Sequence, residues 1–148
     1  MEELLKELVE KNRKFTADGN VANYIPELDK ADKNALGIYV TTLDGQEFFA
    51  GDYNTKFTIQ SISKIISLML AILDNGEEYV FSKVGMEPSG DPFNSIRKLE
   101  TSSRKKPYNP MINAGAIAVA SMIKGKDDRE KFLRLLDFAK LITEDDTL

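Results

Sequence analysis

The sequence contains neither cysteine nor histidine. Without cysteine there is no disulfide, no thiolate nucleophile and no thiolate metal site, and without histidine the common zinc and non-haem iron ligand sets cannot form. A serine nucleophile paired with histidine is excluded for the same reason. If this chain performs covalent catalysis, lysine is the natural base.

Long apolar segments and an excess of positive charge are also missing. The longest apolar run, residues 114–123, contains Gly115 and Ser121 and is far shorter than the roughly 20 residues that a membrane span needs. The chain has 20 basic and 24 acidic residues, a formal net charge of -4, which argues against a general electrostatic attraction to nucleic acid. We therefore expect neither a membrane nor a nucleic-acid partner.

Two further signals are absent. The opening Met1-Glu2-Glu3-Leu4-Leu5-Lys6 lacks the basic segment and apolar core of a secretion signal, so we expect a cytoplasmic protein. The calcium-binding pattern Asp-x-Asp-x-Asp-Gly does not occur, and we expect no metal ion or other cofactor. With 148 residues, 42% of them hydrophobic, the chain is long enough to bury one core, and we expect a single domain spanning residues 1–148.

The first part of the sequence predicts one helix and a hairpin. Apolar residues at helical spacing predict an amphipathic helix to about Lys14, and residues 21–26 predict a short helical turn stopped by a proline. β-Branched and aromatic residues on both sides of Asp44-Gly45 predict a hairpin of residues 36–42 and 46–50. A third extended segment is predicted over residues 56–60.

The rest of the sequence predicts helices. From Ser61 onward apolar residues recur at steps of three and four, and Asn75-Gly76 supplies a stop signal. Further helices are predicted at 79–84, from 110 or 111 to 124 as a buried helix, and from 127 or 128 onward with Phe132, Leu135, Leu136 and Ala139 facing inward. Because strands come first and helices follow, the fold class is α+β.

One basic cluster lies in a stretch rich in serine, proline and asparagine. It consists of Arg97, Lys98, Arg104, Lys105 and Lys106. A solvated loop is the simple interpretation, and an anion-binding site is the alternative.

The pair Ser61 and Lys64 is the candidate reaction centre. A serine hydroxyl is a poor nucleophile until a base takes its proton, and a lysine serves as that base only when its amine is neutral. Burial and the positive end of a helix dipole both disfavour an ammonium group in the first helical turn. Residues three apart share a helix face, which places Lys64 within reach of Ser61.

The pattern Ser-x-x-Lys alone is weak evidence, because it occurs at Ser61, Ser95, Ser102, Ser103 and Ser121. Only the first precedes an apolar helix and follows a predicted strand; three others lie in polar sequence, and Ser121 lies late in a helix. Ser63 adjoins Lys64 but points away from it on a helix. An ordinary helix-capping serine beside a lysine that reaches to solvent remains an alternative for Ser61 and Lys64.

Asn113 is a second candidate, within a run of small and apolar residues. Its carboxamide has donors and an acceptor that suit a substrate carboxylate or amide, and helix capping is the alternative. The neighbouring Ala114, Gly115 and Ala116 are interpreted as structural, because small side chains let helices approach closely.

Four ordered segments resemble four blocks of the serine-dependent glutaminases. They are VANYIPEL at 21–28, QSISK at 60–64, VGMEPSGDPFN at 84–94 and NPMINAGAI at 109–117. The resemblance implies a fold similar to serine β-lactamases and penicillin-binding proteins, of which this chain is the N-terminal portion: the β-hairpin edge of an antiparallel sheet and a helical cluster. It also implies hydrolysis of L-glutamine to L-glutamate and ammonia through an acyl-enzyme.

By the same resemblance each candidate residue receives a role. Ser61 is the nucleophile and Lys64 its base, Tyr24 and Gln60 line the glutamine pocket, and Asn113 binds the substrate. The backbone N–H of Ser61 provides part of the oxyanion hole, which suits a residue at a helix N-terminus.

The resemblance covers about half of the family's catalytic domain. The later half carries a substrate-binding glutamate, another asparagine, two tyrosines and further strands, so we expect little or no activity from this chain alone, or association into a homo-oligomer that covers its unpaired edge. Two alternatives stay open. A β-lactamase or peptidase relative also uses a Ser-Lys pair, although the elements Ser-Asp-Asn and Lys-Thr-Gly are absent. A non-catalytic interaction module keeps the helices without the chemistry.

Overall fold

The computed structural model describes residues 1–90, 92, 94 and 106–148. Of the predicted basic cluster only Lys106 lies within these residues, and the serines of three Ser-x-x-Lys patterns, Ser95, Ser102 and Ser103, lie outside them. The chain divides into two compact units, residues 1–58 and residues 59–148, called unit 1 and unit 2 below.

Unit 1 consists of a helix and a hairpin around a small apolar core. Helix α1 is Glu2–Arg13, and strands β1, Gly37–Thr41, and β2, Glu47–Gly51, pair antiparallel with Val40 opposite Phe48. Alternate strand residues face α1, as the period of two requires. The core is formed by Leu5, Val9 and Ala50, with Leu36, Ile38, Val40 and Phe48 packed against them. The predicted helix and hairpin are confirmed.

Two local predictions, one in unit 1 and one where unit 1 ends and unit 2 begins, are wrong. Residues 21–26 form no helical turn; a short 3-10 turn instead spans Leu28–Lys30. Pro26 explains the difference, because a proline disfavours helical backbone at the residue before it. The predicted extended segment 56–60 forms no strand: Ile59 has helical dihedral angles and Gln60 has φ +45°, so an extended run cannot reach Ser61.

Unit 2 is helical over its described residues. A 3-10 turn, Gln60–Ile62, leads into α2, Ser63–Asn75, followed by α3, Glu77–Lys83. Helix α4 is Asn113–Met122 and α5 is Asp128–Thr143, whose N-cap Asp127 accepts a hydrogen bond from Glu130 N. In unit 1, by comparison, a 3-10 turn at Lys14–Asp18 continues α1. The α+β class and the order of the helices are confirmed.

The core of unit 2 lies between α2, α3 and α4. Its buried residues are Leu70, Ala71, Val80, Val84, Val119 and Ile123, and Leu135 and Phe138 of α5 pack against it. The predicted inward position of Phe132 is wrong, since this side chain is 62% exposed. The inner face of α5 is set by Arg134, Leu135 and Phe138, and Phe132 lies to one side of it.

A second apolar face of unit 2 is exposed to solvent. Ile62, Ile65, Met69 and Leu73 recur along α2 with exposures between 44% and 71%, and we call this set the α2 stripe. On α4, Ile117 is 72% exposed, so the helix predicted to be buried is buried only on the side of Gly115 and Val119. The apolar spacing predicted the helix correctly but did not distinguish its packed face from its exposed one.

Candidate active site

Ser61 lies within the 3-10 turn that begins unit 2, two residues before α2. Ile62 and Ser63 have helical dihedral angles, so the chain runs continuously from Ser61 into the helix that carries Lys64. The helix-capping alternative for Ser61 does not match this arrangement: the N-cap of α2 is Ile62, and among the described residues no side chain caps the helix. Ser61 itself is exposed.

Gln60 gives the turn its shape. Its φ of +45° lies in the left-handed region, which a residue with a Cβ atom adopts only at a cost of about 1–2 kcal/mol. Such strain persists only where the surrounding structure imposes it, and it is concentrated at functional sites. The residue directly before the candidate nucleophile is therefore held in an unfavourable conformation.

Two acceptors hold the amine of Lys64. One lies in the loop before α4, and the other lies in the first turn of α4. Nζ donates to the Met111 carbonyl oxygen at 2.8 Å and to Asn113 Oδ1 at 2.8 Å. The side chain is half-buried. Lys64 is thus anchored inside unit 2, and the alternative of a lysine reaching freely to solvent does not describe it.

Asn113 is the first residue of α4 and meets Lys64 through its side-chain oxygen. The N-cap of that helix is Ile112, and no side chain in the described part of the chain caps it, so the capping alternative for Asn113 does not describe the structure either. With Oδ1 accepting from lysine, the amide Nδ2 of Asn113 is the group that suits an acceptor on a ligand.

Two of the competing serines, Ser63 and Ser121, donate their hydroxyl groups to their own backbone turns. Ser63 Oγ donates to the Gln60 carbonyl oxygen at 2.7 Å, and Ser121 Oγ donates to the Ala118 carbonyl oxygen at 2.7 Å. Both arrangements are typical of serines inside helices. They favour Ser61 over these two as the reactive serine.

Tyr24 belongs to unit 1, where it is 74% exposed in a segment without regular structure. Unit 2 therefore brings together Lys64 and Asn113, and it carries Gln60 and Ser61 on the turn before α2. The site roles of all five residues stay predictions.

Two contributors to the site are not among the residues predicted from sequence. They are the Met111 carbonyl, which accepts from Lys64, and Asn109, whose side chain bonds the backbone around Met111. Asn109 Oδ1 accepts hydrogen bonds from Met111 N at 3.0 Å and Ile112 N at 3.2 Å. The signal was present, because an asparagine before a proline is typical of a turn in which the side chain bonds the backbone two residues on.

Comparison with known proteins places the chain in a family. The family model named Glutaminase matches residues 19–148, so the chain belongs to the glutaminase family. A protein of Fusobacterium nucleatum named Glutaminase is 97% identical over 148 residues, which are 100% of this chain and 49% of that protein. A Clostridium botulinum (strain Hall) Glutaminase is 63% identical over 143 residues, 97% of this chain and 47% of that protein.

Solved structures agree with the family assignment. A probable glutaminase of Bacillus subtilis has a TM-score of 0.84 at 42% identity, over 95% of this chain and 42% of that one. A probable glutaminase of the same organism, complexed with 6-diazo-5-oxo-L-norleucine, has a TM-score of 0.78 at 40% identity, over 93% and 40% of the two chains. The α+β arrangement is thus that of part of a glutaminase, and the chain spans about half the length of the curated relatives it matches.

No helix in the described part of the chain is long and apolar enough to cross a membrane.

Proposed function

We propose that this chain carries the nucleophile and base of a glutaminase, which hydrolyses L-glutamine to L-glutamate and ammonia. The observation that carries the proposal is the placement of Lys64. Its amine is fixed by the Met111 carbonyl and by Asn113, three residues after a serine, in a chain of the glutaminase family. The relatives named Glutaminase support the choice of substrate.

The chemistry proceeds through an ester on Ser61. Oγ attacks the side-chain carboxamide carbon of glutamine while the Lys64 amine accepts the hydroxyl proton, and the oxyanion that forms is held by backbone N–H groups. The carbon–nitrogen bond then breaks, and the leaving nitrogen takes the proton from Lys64 and departs as ammonia. Water, deprotonated by the same amine, attacks the ester carbon; the bond from that carbon to Oγ breaks, Oγ takes the proton back from Lys64, and glutamate is released.

The two hydrogen bonds of Lys64 suit the role of base. A neutral amine has two N–H groups and one lone pair, and donation to Met111 O and Asn113 Oδ1 uses both N–H groups. The lone pair then points in a third direction. Because Ser61 precedes Lys64 by three residues on a helical path, the serine hydroxyl is the expected partner in that direction.

The remaining candidate residues take part in binding. Asn113 Nδ2 is proposed to donate to glutamine, since its Oδ1 is already engaged by Lys64. Gln60 and Tyr24 are proposed to line the glutamine pocket, as the family resemblance implies. No metal ion or other cofactor is part of this proposal.

We propose that the 148-residue chain alone has little or no glutaminase activity, because it matches about half the length of its relatives. A cytoplasmic location and a homo-oligomeric state belong to the same proposal. Ammonia release by the purified chain tests the first part: turnover that Ser61→Ala abolishes would contradict the proposed inactivity.

The activity itself is best tested in a fusion. In this fusion, the chain replaces the matching residues of the Fusobacterium nucleatum relative, with which it shares 97% identity. Incubation with 6-diazo-5-oxo-L-norleucine, the compound bound by a Bacillus subtilis neighbour, should alkylate Ser61 with loss of dinitrogen. Peptide mass mapping should find the adduct at Ser61 and not at Ser63; an adduct at Ser63 alone would overturn the assignment of the nucleophile.

A further inference from the structure

The acceptors of Lys64 lie on a segment with little regular structure before α4. The Met111 carbonyl belongs to that segment, and its position depends on whatever fixes the segment in place. Backbone of this kind moves easily unless its polar groups are bonded to their surroundings. The contacts of residues 107–112 therefore decide how accurately the amine of Lys64 is held.

Asn109 is the centre of those contacts. Its Oδ1 accepts from the backbone N–H groups of Met111 and Ile112, at 3.0 and 3.2 Å, which closes the turn that presents the Met111 carbonyl. Its Nδ2 donates to the Glu87 carbonyl oxygen at 2.8 Å, which ties the turn to a distant part of the chain. One half-buried carboxamide thus satisfies three backbone groups.

The segment is also fixed on both sides of Asn109 by the backbone. Gly85 N donates to the Pro107 carbonyl oxygen at 2.8 Å and Glu87 N donates to the Tyr108 carbonyl oxygen at 3.0 Å. Against α4, the carbonyl oxygen of Asn109 approaches Gly115 so closely that a Cβ atom there would lie 1.9 Å away. Through its three hydrogen bonds, the side chain of Asn109 links these anchors to the part of the turn that Lys64 contacts.

We propose that Asn109 is a positioning residue for Lys64. It holds the turn so that the Met111 carbonyl and Asn113 Oδ1 receive the amine together, and it thereby directs the lone pair of Lys64. This inference rests on the proposed function for its catalytic consequence, although the positioning of the amine is measurable without catalysis.

The first experiment measures the reactivity of each lysine of the 148-residue chain toward acetic anhydride at fixed pH, by mass spectrometry. Asn109→Ala should speed acetylation of Lys64 at least threefold, because the acceptors of the amine are no longer fixed in place. Hydrogen exchange at the Met111 and Ile112 amides should accelerate as well. An unchanged rate at Lys64 would overturn the proposal.

Two variants separate positioning from stability. Asn75 is the matched control, since its Nδ2 donates to the carbonyl oxygens of Ala71 at 2.9 Å and Met122 at 2.8 Å, linking α2 to the end of α4. Asn75→Ala should lower stability without changing Lys64 acetylation. Asn109→Asp keeps the acceptor for the two amides but loses the donor to Glu87, so it should lower stability yet keep Lys64 acetylation slow. Equal effects of Asn75→Ala and Asn109→Ala on Lys64 would overturn the proposal.

The catalytic consequence is measured in the fusion. Asn109→Ala should lower kcat for glutamine about tenfold with KM changed less than threefold, whereas Asn75→Ala should change neither by more than twofold. A rise in KM with unchanged kcat would overturn the positioning of the base. If the unsubstituted fusion does not hydrolyse glutamine, the proposed function fails, and Lys64 acetylation still decides the role of Asn109.

Discussion

Gly115 is the glycine at which an added side chain would meet the nearest backbone atom. An added Cβ atom would lie 1.9 Å from the carbonyl oxygen of Asn109 and 3.1 Å from Pro110 Cα, both backbone atoms that cannot rotate away. The sequence predicts a structural role for the small residues beside Asn113, and this contact gives the reason. The first turn of α4 lies directly against the turn whose Met111 carbonyl oxygen accepts from Lys64.

Gly115→Ala should therefore lower the free energy of unfolding by about 1–3 kcal/mol, as overpacking does. Urea unfolding of the 148-residue chain measures it. The control is Gly90→Ala, where no described atom apart from the chain neighbours lies within 4 Å of an added Cβ and little change is expected. Equal effects at the two glycines would show that the close approach of α4 to Asn109 is absent in solution.

The left-handed backbone of Gln60 gives a second prediction for one residue. Gln60→Gly should be more stable than Gln60→Ala by about 1 kcal/mol, because both remove the side-chain amide while only alanine keeps a Cβ atom at φ +45°. Urea unfolding of the two variants is the measurement.

The comparison position is Glu7, exposed in the interior of α1. There alanine should be the more stable of the pair by about 1 kcal/mol, since glycine is a poor helix former. If the alanine variant is also the more stable of the pair at Gln60, the strained backbone of the turn is contradicted.

At the level of elements, one ion pair connects α2, α5 and the end of α4. Both oxygens of Asp74 accept from Arg134, from Nη2 at 2.6 Å and from Nη1 at 2.7 Å, and Oδ2 also accepts from Lys124 N at 2.8 Å. The Asp74 side chain is only 8% exposed and the Arg134 side chain 35% exposed. The bidentate hydrogen bond from Arg134 lowers the pKa of Asp74 below its usual 3.8, and the bond from Lys124 N acts in the same direction.

This lowered pKa predicts a pH dependence of stability. A carboxyl group with a lower pKa in the folded state contributes its stability above the unfolded pKa of 3.8, and loses it as pH falls through the folded value. Between pH 5 and 2.5 the free energy of unfolding should fall more steeply in the unsubstituted chain than in Asp74→Asn. At pH 7 Asp74→Asn should cost about 2 kcal/mol, because it disrupts a largely buried pair whose arginine is partly solvated.

Arg134→Met is the matched test of the same bond from its other side. This substitution removes the main cause of the lowered pKa of Asp74. The free energy of unfolding of Arg134→Met should therefore fall less steeply between pH 5 and 2.5 than that of the unsubstituted chain. If the free energy of unfolding of both variants falls with pH as steeply as that of the unsubstituted chain, the ion pair between Asp74 and Arg134 is contradicted.

The predictions from sequence succeeded where one local signal dominates. The apolar period of α2, the Asp44-Gly45 turn and the Asp127 cap each define an element by neighbouring residues, and all three are present. They failed at two positions. Gln60 takes a left-handed conformation within a segment expected to be extended, and Phe132 lies outside the face of α5 whose Arg134 pairs with the distant Asp74. Ser61, Lys64 and Asn113 were selected from sequence, but the hydrogen bond from Lys64 to Asn113 joins residues 49 positions apart and has no local signal.

For the whole molecule, the α2 stripe is the feature with the largest expected effect on behaviour in solution. Exposed large apolar side chains in a row are typical of surfaces that another molecule covers. The purified chain should therefore associate with increasing concentration in sedimentation velocity, and Met69→Lys combined with Leu73→Lys should reduce that association.

Leu43→Lys supplies the control, because Leu43 is a lone exposed leucine in the hairpin turn region of unit 1. It should leave the association unchanged. A chain that stays monomeric at all concentrations, or that responds equally to the two sets of substitutions, would contradict the role given to the stripe.

The rate of ammonia release by the fusion shows whether Ser61 and Lys64 are the nucleophile and base of glutamine hydrolysis. The fusion should hydrolyse L-glutamine, Ser61→Ala should lower kcat about 10⁴-fold or more, and Lys64→Ala should lower it about 10²–10⁴-fold. Ser63→Ala, which removes a hydroxyl bonded to the Gln60 carbonyl, should retain most of the activity. Full activity in Ser61→Ala or in Lys64→Ala would contradict the account.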